Sequence, residues 1–373
     1  MGPNRRHLIT GGAAVLGLAG CAGLPRPMRA FRVALLGQAL IEHAATEAEW
    51  PGRSAIAARL AGADAVFTNL ETVIRGPRAG APTRELLTLH AAGPEILETL
   101  RSVDVGLLTT ANNHAFDLGA GGILDTLAAI RAAGLVTSGS GSHLAEASAP
   151  AYLPTVAGRV AVVGFATGKV REGGMATPTR PGVNELRRGA DGVPDPGDEA
   201  RILTAIREAA TRADLVIACH HNHDWEEDNA LVPGWQEALA RRCVDAGADV
   251  FAGHGSPLPQ GLGLYRGKPL LFGLGNFIFQ TEKVAGSYPP DAWTSVIAEV
   301  ERAPDGTLRT SLVPVTMNET GLGGENDLST RGFPSLAGPQ AAAAILSRLD
   351  RLSRPLGGRV SPSGSVGALV SPI

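Results

Sequence analysis

The run Cys219, His220, His221, Asn222, His223, Asp224 places three imidazoles, an amide and a carboxylate directly after the apolar residues 215–218. Imidazole nitrogens and carboxylate or amide oxygens together suit divalent transition metals, and imidazole also moves protons near neutral pH. Similar groups follow other apolar runs: Glu71 after AVFTNL, Asn113 and His114 after VGLLTTAN, and His254 after VFAG. Singly, such residues are ordinary: an exposed loop carboxylate, a turn asparagine, a surface histidine beside glycine. Gathered at one place they form a mixed nitrogen and oxygen set, and without an ion that set would be costly to bury. The reading that follows delivers His220 to a metal, while His221 and His223 line the approach or orient the ligands.

Gathering them requires one architecture. Four segments share one order of alanine-rich helix, turn with Asp, short apolar strand and polar cluster: ARLAGADAVFTNLE, ETLRSVDVGLLTTANNH, IREAATRADLVIACHHNH and ARRCVDAGADVFAGHG. Continuous apolar strands alternating with helices predict an α/β fold whose sheets are covered on both faces. In such folds ligands sit beyond the carboxyl ends of the strands, so the four clusters are expected along one edge.

Composition narrows the classes of function. The chain has 373 residues, 44% of them hydrophobic, which is enough for a large core. A net charge of −3 and the lack of a basic stripe argue against a nucleic-acid partner. The N-terminus reads as an address: Arg5 and Arg6 precede an apolar stretch in a twin-arginine-like pattern, and Leu18-Ala19-Gly20-Cys21 resembles a bacterial lipobox. Residues 1–21 are therefore expected to be a signal peptide, with Cys21 acylated and the chain anchored by lipid to a membrane of the cell envelope, outside the cytoplasm. Cys219 and Cys243 are too few for a disulfide scaffold and read as small buried residues.

FRVALLGQAL, TNLET, ANNHAFDLGAGGILDTL, the HHNH run, VDAGADVFAGHGSPLPQ and KPLLFGLGNFIF, in that order, resemble the motifs of the CapA family of capsule and poly-γ-glutamate synthesis proteins. That family is similar to calcineurin-like metallophosphoesterases. The resemblance implies a four-layer α/β/β/α sandwich over residues 30–318 with a helical extension at 319–356; the tail at 357–373 carries little signal of its own and is expected to be partly disordered. It implies metal ligands at Glu71, Asn113, His220 and His254. Two departures matter: Gln38 stands where an acidic residue is usual after the first strand, and Pro257 where a second histidine is usual after His254. Both positions would serve one metal of a pair, so a single divalent ion, Mn, Fe or Zn, is expected. His43, a few residues on from Gln38, would restore a ligand if its loop turned back.

One ion still supports hydrolysis, with protein groups replacing the second. His114 is the candidate for protonating a leaving group, and Asp117 either orients its ring or caps the next helix. Gln38, His221, His223 and Asn276 are candidate substrate contacts. Segment 168–197 is long for a connection and carries Arg171, Arg180, Arg187 and Arg188, as a lid facing an anionic substrate would. The resulting function is a metal-dependent hydrolase of a phosphoester or amide in capsule or poly-γ-glutamate synthesis, working near capsule-synthesis membrane proteins. The alternative is a non-catalytic binding protein for the same anionic polymer.

Overall fold

A computed structural model describes residues 30–372; Cys21 and the leader lie outside the described residues. The Leu215–Asn222 strand is buried along its whole length. Residues Leu215, Ile217 and Cys219 face one core, whereas Val216 and Ala218 face another. This two-residue period is what a strand covered on both faces produces.

Two sheets carry the fold. The six-stranded sheet runs in the spatial order Leu262–Tyr265, Lys268–Leu271, Val250–His254, Leu215–Asn222, Arg159–Thr167, Ala151–Pro154. The nine-stranded sheet centres on the parallel strands Phe31–Leu35, Ala65–Asn69, Val105–Thr109 and Val136–Ser138. It extends antiparallel through Thr294–Arg302 and Leu308–Met317. The sheets pack face to face: Val33, Leu35, Phe67 and Leu107 of one meet Val162, Ile217, Cys219 and Val250 of the other.

Helices cover both outer faces. Ile56, Leu60, Ile96, Leu100 and Ile130 pack on Ala34, Val66 and Leu108 of the larger sheet. Ile202, Ile206, Leu239 and Cys243 pack on Val163, Val216, Ala218 and Phe251 of the smaller one. Each such fully buried aliphatic side chain contributes about 1.5–3 kcal/mol. The Pro196–Ala210 helix shows why the chain turns helical there: Asp195 accepts from the N–H groups of Gly197 and Asp198, and Pro196 opens the first turn. The result is the four-layer α/β/β/α sandwich.

The C-terminal region differs from its expectation. Pro334–Leu336 pairs with the Leu308–Met317 strand before the Pro339–Ser353 helix begins. The tail expected to be partly disordered forms a hairpin, Arg359–Ser363 with Val366–Val370, which joins the larger sheet beside Leu308–Met317. Asp350 of the helix accepts from Arg354, Arg359 and the Val360 N–H, and these bonds hold the hairpin down. No helix among the described residues is long and apolar enough to cross a membrane.

Candidate functional site

The parallel strands of both sheets end at one edge, and the polar clusters meet there. Glu71 follows the Ala65–Asn69 strand, Asn113 and His114 follow Val105–Thr109, and His221 and His223 come from the end of Leu215–Asn222. Glu71 Oε1 lies 3.5 Å from His221 Nε2, 3.7 Å from His223 Nε2 and 3.9 Å from His114 Nε2. Asn113 Oδ1 lies 2.8 Å from His221 Nε2. Ligand atoms about 2.1 Å from a shared ion stand roughly 3–3.5 Å apart, so these separations suit a common cation. Glu71, His221 and His223 each present a ligand atom within 4.8 Å of the others.

The polar atoms of this group lack partners. Glu71 Oε2 and both ring nitrogens of His223 are buried without a hydrogen bond among the described residues. Burial pushes the Glu71 carboxyl well above its usual range and holds the His221 imidazole well below its own. It takes His223 down to about 3. A cation would offset all three costs at once, since it pairs the carboxylate and binds neutral imidazole. The residues present therefore fit a divalent metal.

The surroundings fix the ring of His221. Asn112 Nδ2 donates to Leu70 O and to Asn69 Oδ1, and Asn69 Nδ2 lies 3.1 Å from His221 Nδ1. Asn69 and Asn112 are buried amides with no role expected from the sequence; their place two residues before Glu71 and directly before Asn113 was the available signal.

His220 and His254 do not join the group. His220 has the opposite parity to His221, and a one-residue step along a strand reverses the face. Its ring stacks on Phe165 at 4.8 Å under the helices, with Nε2 3.0 Å from Thr167 Oγ1 and Nδ1 3.4 Å from Gln236 Nε2. His254 sits beside His221 in register, on the face between the sheets. Its Nε2 donates to Leu36 O at 3.0 Å and its Nδ1 faces Cys219 Sγ at 3.5 Å, so it stands outside the set whose ligand atoms converge.

Gln38 and Asn276 bond to each other and to neighbouring backbone groups. Gln38 Nε2 donates to Asn276 Oδ1 at 3.0 Å, and its Oε1 accepts from the Gly255 N–H at 2.8 Å. Asn276 in turn donates to Pro257 O and Ala292 O. Gly255 has φ 109°, and a Cβ there would stand 2.1 Å from Asn222 O, so the tight turn that presents its N–H to Gln38 requires glycine. His43 is exposed, with its backbone N–H donated to Gln280, and supplies no ligand.

Asp117 is not a helix cap. It is fully buried; Oδ2 lies 2.9 Å from His114 Nδ1 and Oδ1 2.5 Å from Arg84 Nε. The Gly119–Ala132 helix begins without a side-chain cap. Burial raises Asp117 to about 7 against the pull of Arg84, and burial together with nearby His90 holds the His114 imidazole well below its usual range. His90, unnoticed in the sequence because it lies outside the strand-end motifs, packs edge-on to His114 at 4.5 Å, and its Nδ1 lies 2.5 Å from Glu42 Oε1.

A sandwich of two sheets with histidines, an asparagine and a carboxylate at one edge is the calcineurin-like metallophosphoesterase architecture. The family model described as bacterial capsule synthesis protein PGA_cap matches residues 34–281, and the chain belongs to that family. It is 28% identical over 277 residues to the PGA biosynthesis protein CapA of Bacillus subtilis, covering 69% of this chain and 66% of that protein. It is 29% identical over 430 residues to the uncharacterized protein y4uA of Sinorhizobium fredii, covering 91% of this chain and 93% of that protein.

Proposed function

We propose that this CapA-type protein, associated with capsule or polyglutamate synthesis, is a hydrolase of a phosphoester or amide bond that uses one divalent cation. The observation carrying the reading is the buried set Glu71, Asn113, His221 and His223, whose unpartnered atoms adjoin the Asp117–His114 pair. These four residues would hold the ion, of which Mn, Fe and Zn all suit the donor set. When bound, such an ion polarises a phosphoryl or acyl oxygen and acidifies water.

The chain's own groups do the rest. Asp117, held by Arg84, accepts a hydrogen bond from the His114 Nδ1–H and so leaves the Nε2 lone pair on the Glu71 side. Because burial keeps this imidazole neutral, it first takes a proton from the attacking water and then passes it to the leaving group. That order refines the expectation that His114 acts only as an acid.

The twin-arginine-like start and the lipobox at Cys21 complete the proposal with an extracytoplasmic, lipid-anchored location. The second reading, a non-catalytic accessory protein for the polymer, draws on Gln38, whose bonds to Gly255 and Asn276 fill the place where the resemblance expects an acidic ligand. Turnover of bis(4-nitrophenyl) phosphate and of poly-γ-glutamate by metal-loaded protein separates the two. Activity on either that disappears in Glu71→Gln supports the hydrolase; bound metal with no turnover of either supports the accessory role.

A further inference from the structure

Segment 168–197 carries four arginines, and three are committed to partners within the chain. Arg187 Nε pairs with Asp198 at 2.7 Å, Arg188 pairs with Asp224, and Arg180 Nη2 donates to Met175 O at 3.3 Å. Arg171 is different: its Nε is buried with no hydrogen-bond partner among the described residues. A buried guanidinium N–H left open is expensive, and an oxyanion satisfies it with a charge-assisted bond.

The chain around Arg171 is aimed at the site. Gly168 and Lys169 both have left-handed φ, 78° and 55°, and Lys169 adopts it without being glycine. Such strain persists only where the surroundings impose it, and it gathers at functional positions. At Gly168 a Cβ would stand 2.9 Å from the carbonyl carbon of His223, so the turn lies directly against the HHNH segment. Farther along, Val170 packs against the same cluster, around Ala111 and Ala166, as Ala115 and Phe116, which follow Asn113 and His114. Lys169 Nζ lies 4.8 Å from the centre of the Trp225 ring, which itself packs on His223 at 4.5 Å. Across the site, Arg84 is mostly buried and anchored through Nη2 to Asn113 O at 2.5 Å. The turn that carries Arg171 packs on the same side: the Gly174 N–H donates to Arg171 O at 2.7 Å, and a Cβ at Gly174 would stand 3.2 Å from Phe116 Cβ.

We infer that Arg171, Lys169 and Arg84 form an oxyanion subsite beside the Glu71 cluster, which grips a carboxylate or phosphate group of the substrate next to the bond being cut. The subsite deepens the hydrolase reading and rests on it for its placement relative to chemistry. A polymer of γ-linked glutamate presents a carboxylate at every residue, so Arg171 and Lys169 would engage a side group while the chain backbone lies across His114. A phosphoester presents its own oxygens to the same cations. Arginine suits either, because its fork binds both oxygens of a planar anion.

Isothermal titration of the purified protein with a γ-linked glutamate octamer and, separately, with inorganic phosphate tests the subsite. The variants are Arg171→Ala, Arg171→Lys, Lys169→Ala and, as a control on the same segment, Arg180→Ala, each checked by circular dichroism for an unchanged fold. The expected result is an octamer affinity about tenfold weaker in Arg171→Ala and Lys169→Ala, partly restored in Arg171→Lys and unchanged in Arg180→Ala. The same pattern with phosphate and not with the octamer keeps the subsite and assigns it to a phosphate group. Affinities for both probes that ignore Arg171→Ala and Lys169→Ala, or no binding of either probe by the wild type, overturn it. Turnover is measured in parallel so that the two ideas fail separately: anion binding that depends on Arg171 without turnover removes the hydrolase and keeps the subsite. Turnover whose KM is indifferent to Arg171→Ala does the reverse.

Discussion

Two halves of the strand-end edge have opposite bookkeeping of polar atoms. In the Glu71 half, the second carboxylate oxygen of Glu71 and both nitrogens of His223 are buried and unpaired among the described residues. In the Gln38 half, the side chains of Gln38, Asn276 and His254 find partners in Gly255, Leu36, Pro257 and Ala292. Buried polar groups are ordinarily satisfied, so the first half is built for something the chain does not itself supply, and the second is finished. On the single-ion proposal the difference teaches how one half can stay open while the other serves the fold. Gln38 stands where the resemblance expects a carboxylate, and its two ends tie Asn276 and Gly255 together as a joint.

The comparison can be broken by substitution. The largest effect is expected in the open half: Glu71→Gln or His221→Ala should lower turnover on any substrate found by at least about a hundredfold, read from kcat/KM, because each removes a ligand and the site's charge balance. Asp117→Asn should lower kcat by about 10²–10⁴-fold, through loss of the acceptor that sets the His114 tautomer, with KM little changed. An equal fall in a protein whose His114 is already replaced would show that the two residues do not act as a pair.

In the closed half the effects are on stability. Gln38→Asp restores the acid that the resemblance expects, yet the shorter side chain cannot reach both Asn276 and Gly255. It should cost about 1–3 kcal/mol in urea unfolding and recruit no ion. A Gln38→Asp protein that is as stable as the wild type and more active would sink the idea that this half is a joint.

The smallest effect is set by pH. Burial holds His220 near 3 and His254 near 4, both below the value of an unfolded histidine, about 6.5. Between those values the unfolded chain binds protons that the folded chain refuses, so stability falls as pH drops below about 6.5, to about 4 for His254 and about 3 for His220. Each histidine removes about 1.4 kcal/mol per pH unit in its window. Replacing His220 by Asn should shrink the gap between urea midpoints measured at pH 7 and pH 5 by roughly 2 kcal/mol of unfolding free energy. An unchanged gap would mean that His220 protonates freely in the folded protein.

The layers were legible because they depend on pattern. Continuous apolar runs such as 215–218 and 250–252, each following a helix, announce covered parallel strands, and the polar residue after each run announces the edge. Glu71, Asn113 and His114 follow their strands in loops, and the structure brings them to one place. His220 and His221 could not be told apart by that logic, since both are polar and adjacent and only the parity of Leu215, Ile217 and Cys219 on the inner face selects His221. His254 has the right parity, but the Leu36 carbonyl that occupies its Nε2 is 218 residues away in the chain, and no local signal reports it. His90 and Glu42 were hidden for the same reason: their pairing joins two loops that approach only after both strands are in place. The hairpin of 359–370 was missed because its glycines and serines carry weak strand preference, and Asp350 supplies the tether from a distant helix.

The most direct test counts ions. Native mass spectrometry of the wild type, His221→Ala and His254→Gln, each reconstituted with Mn, Fe or Zn, reads the stoichiometry without reference to activity. One ion per chain is expected in the wild type and in His254→Gln, and none in His221→Ala. Two ions in the wild type, or one ion that survives His221→Ala and is lost with His254→Gln, would contradict the account.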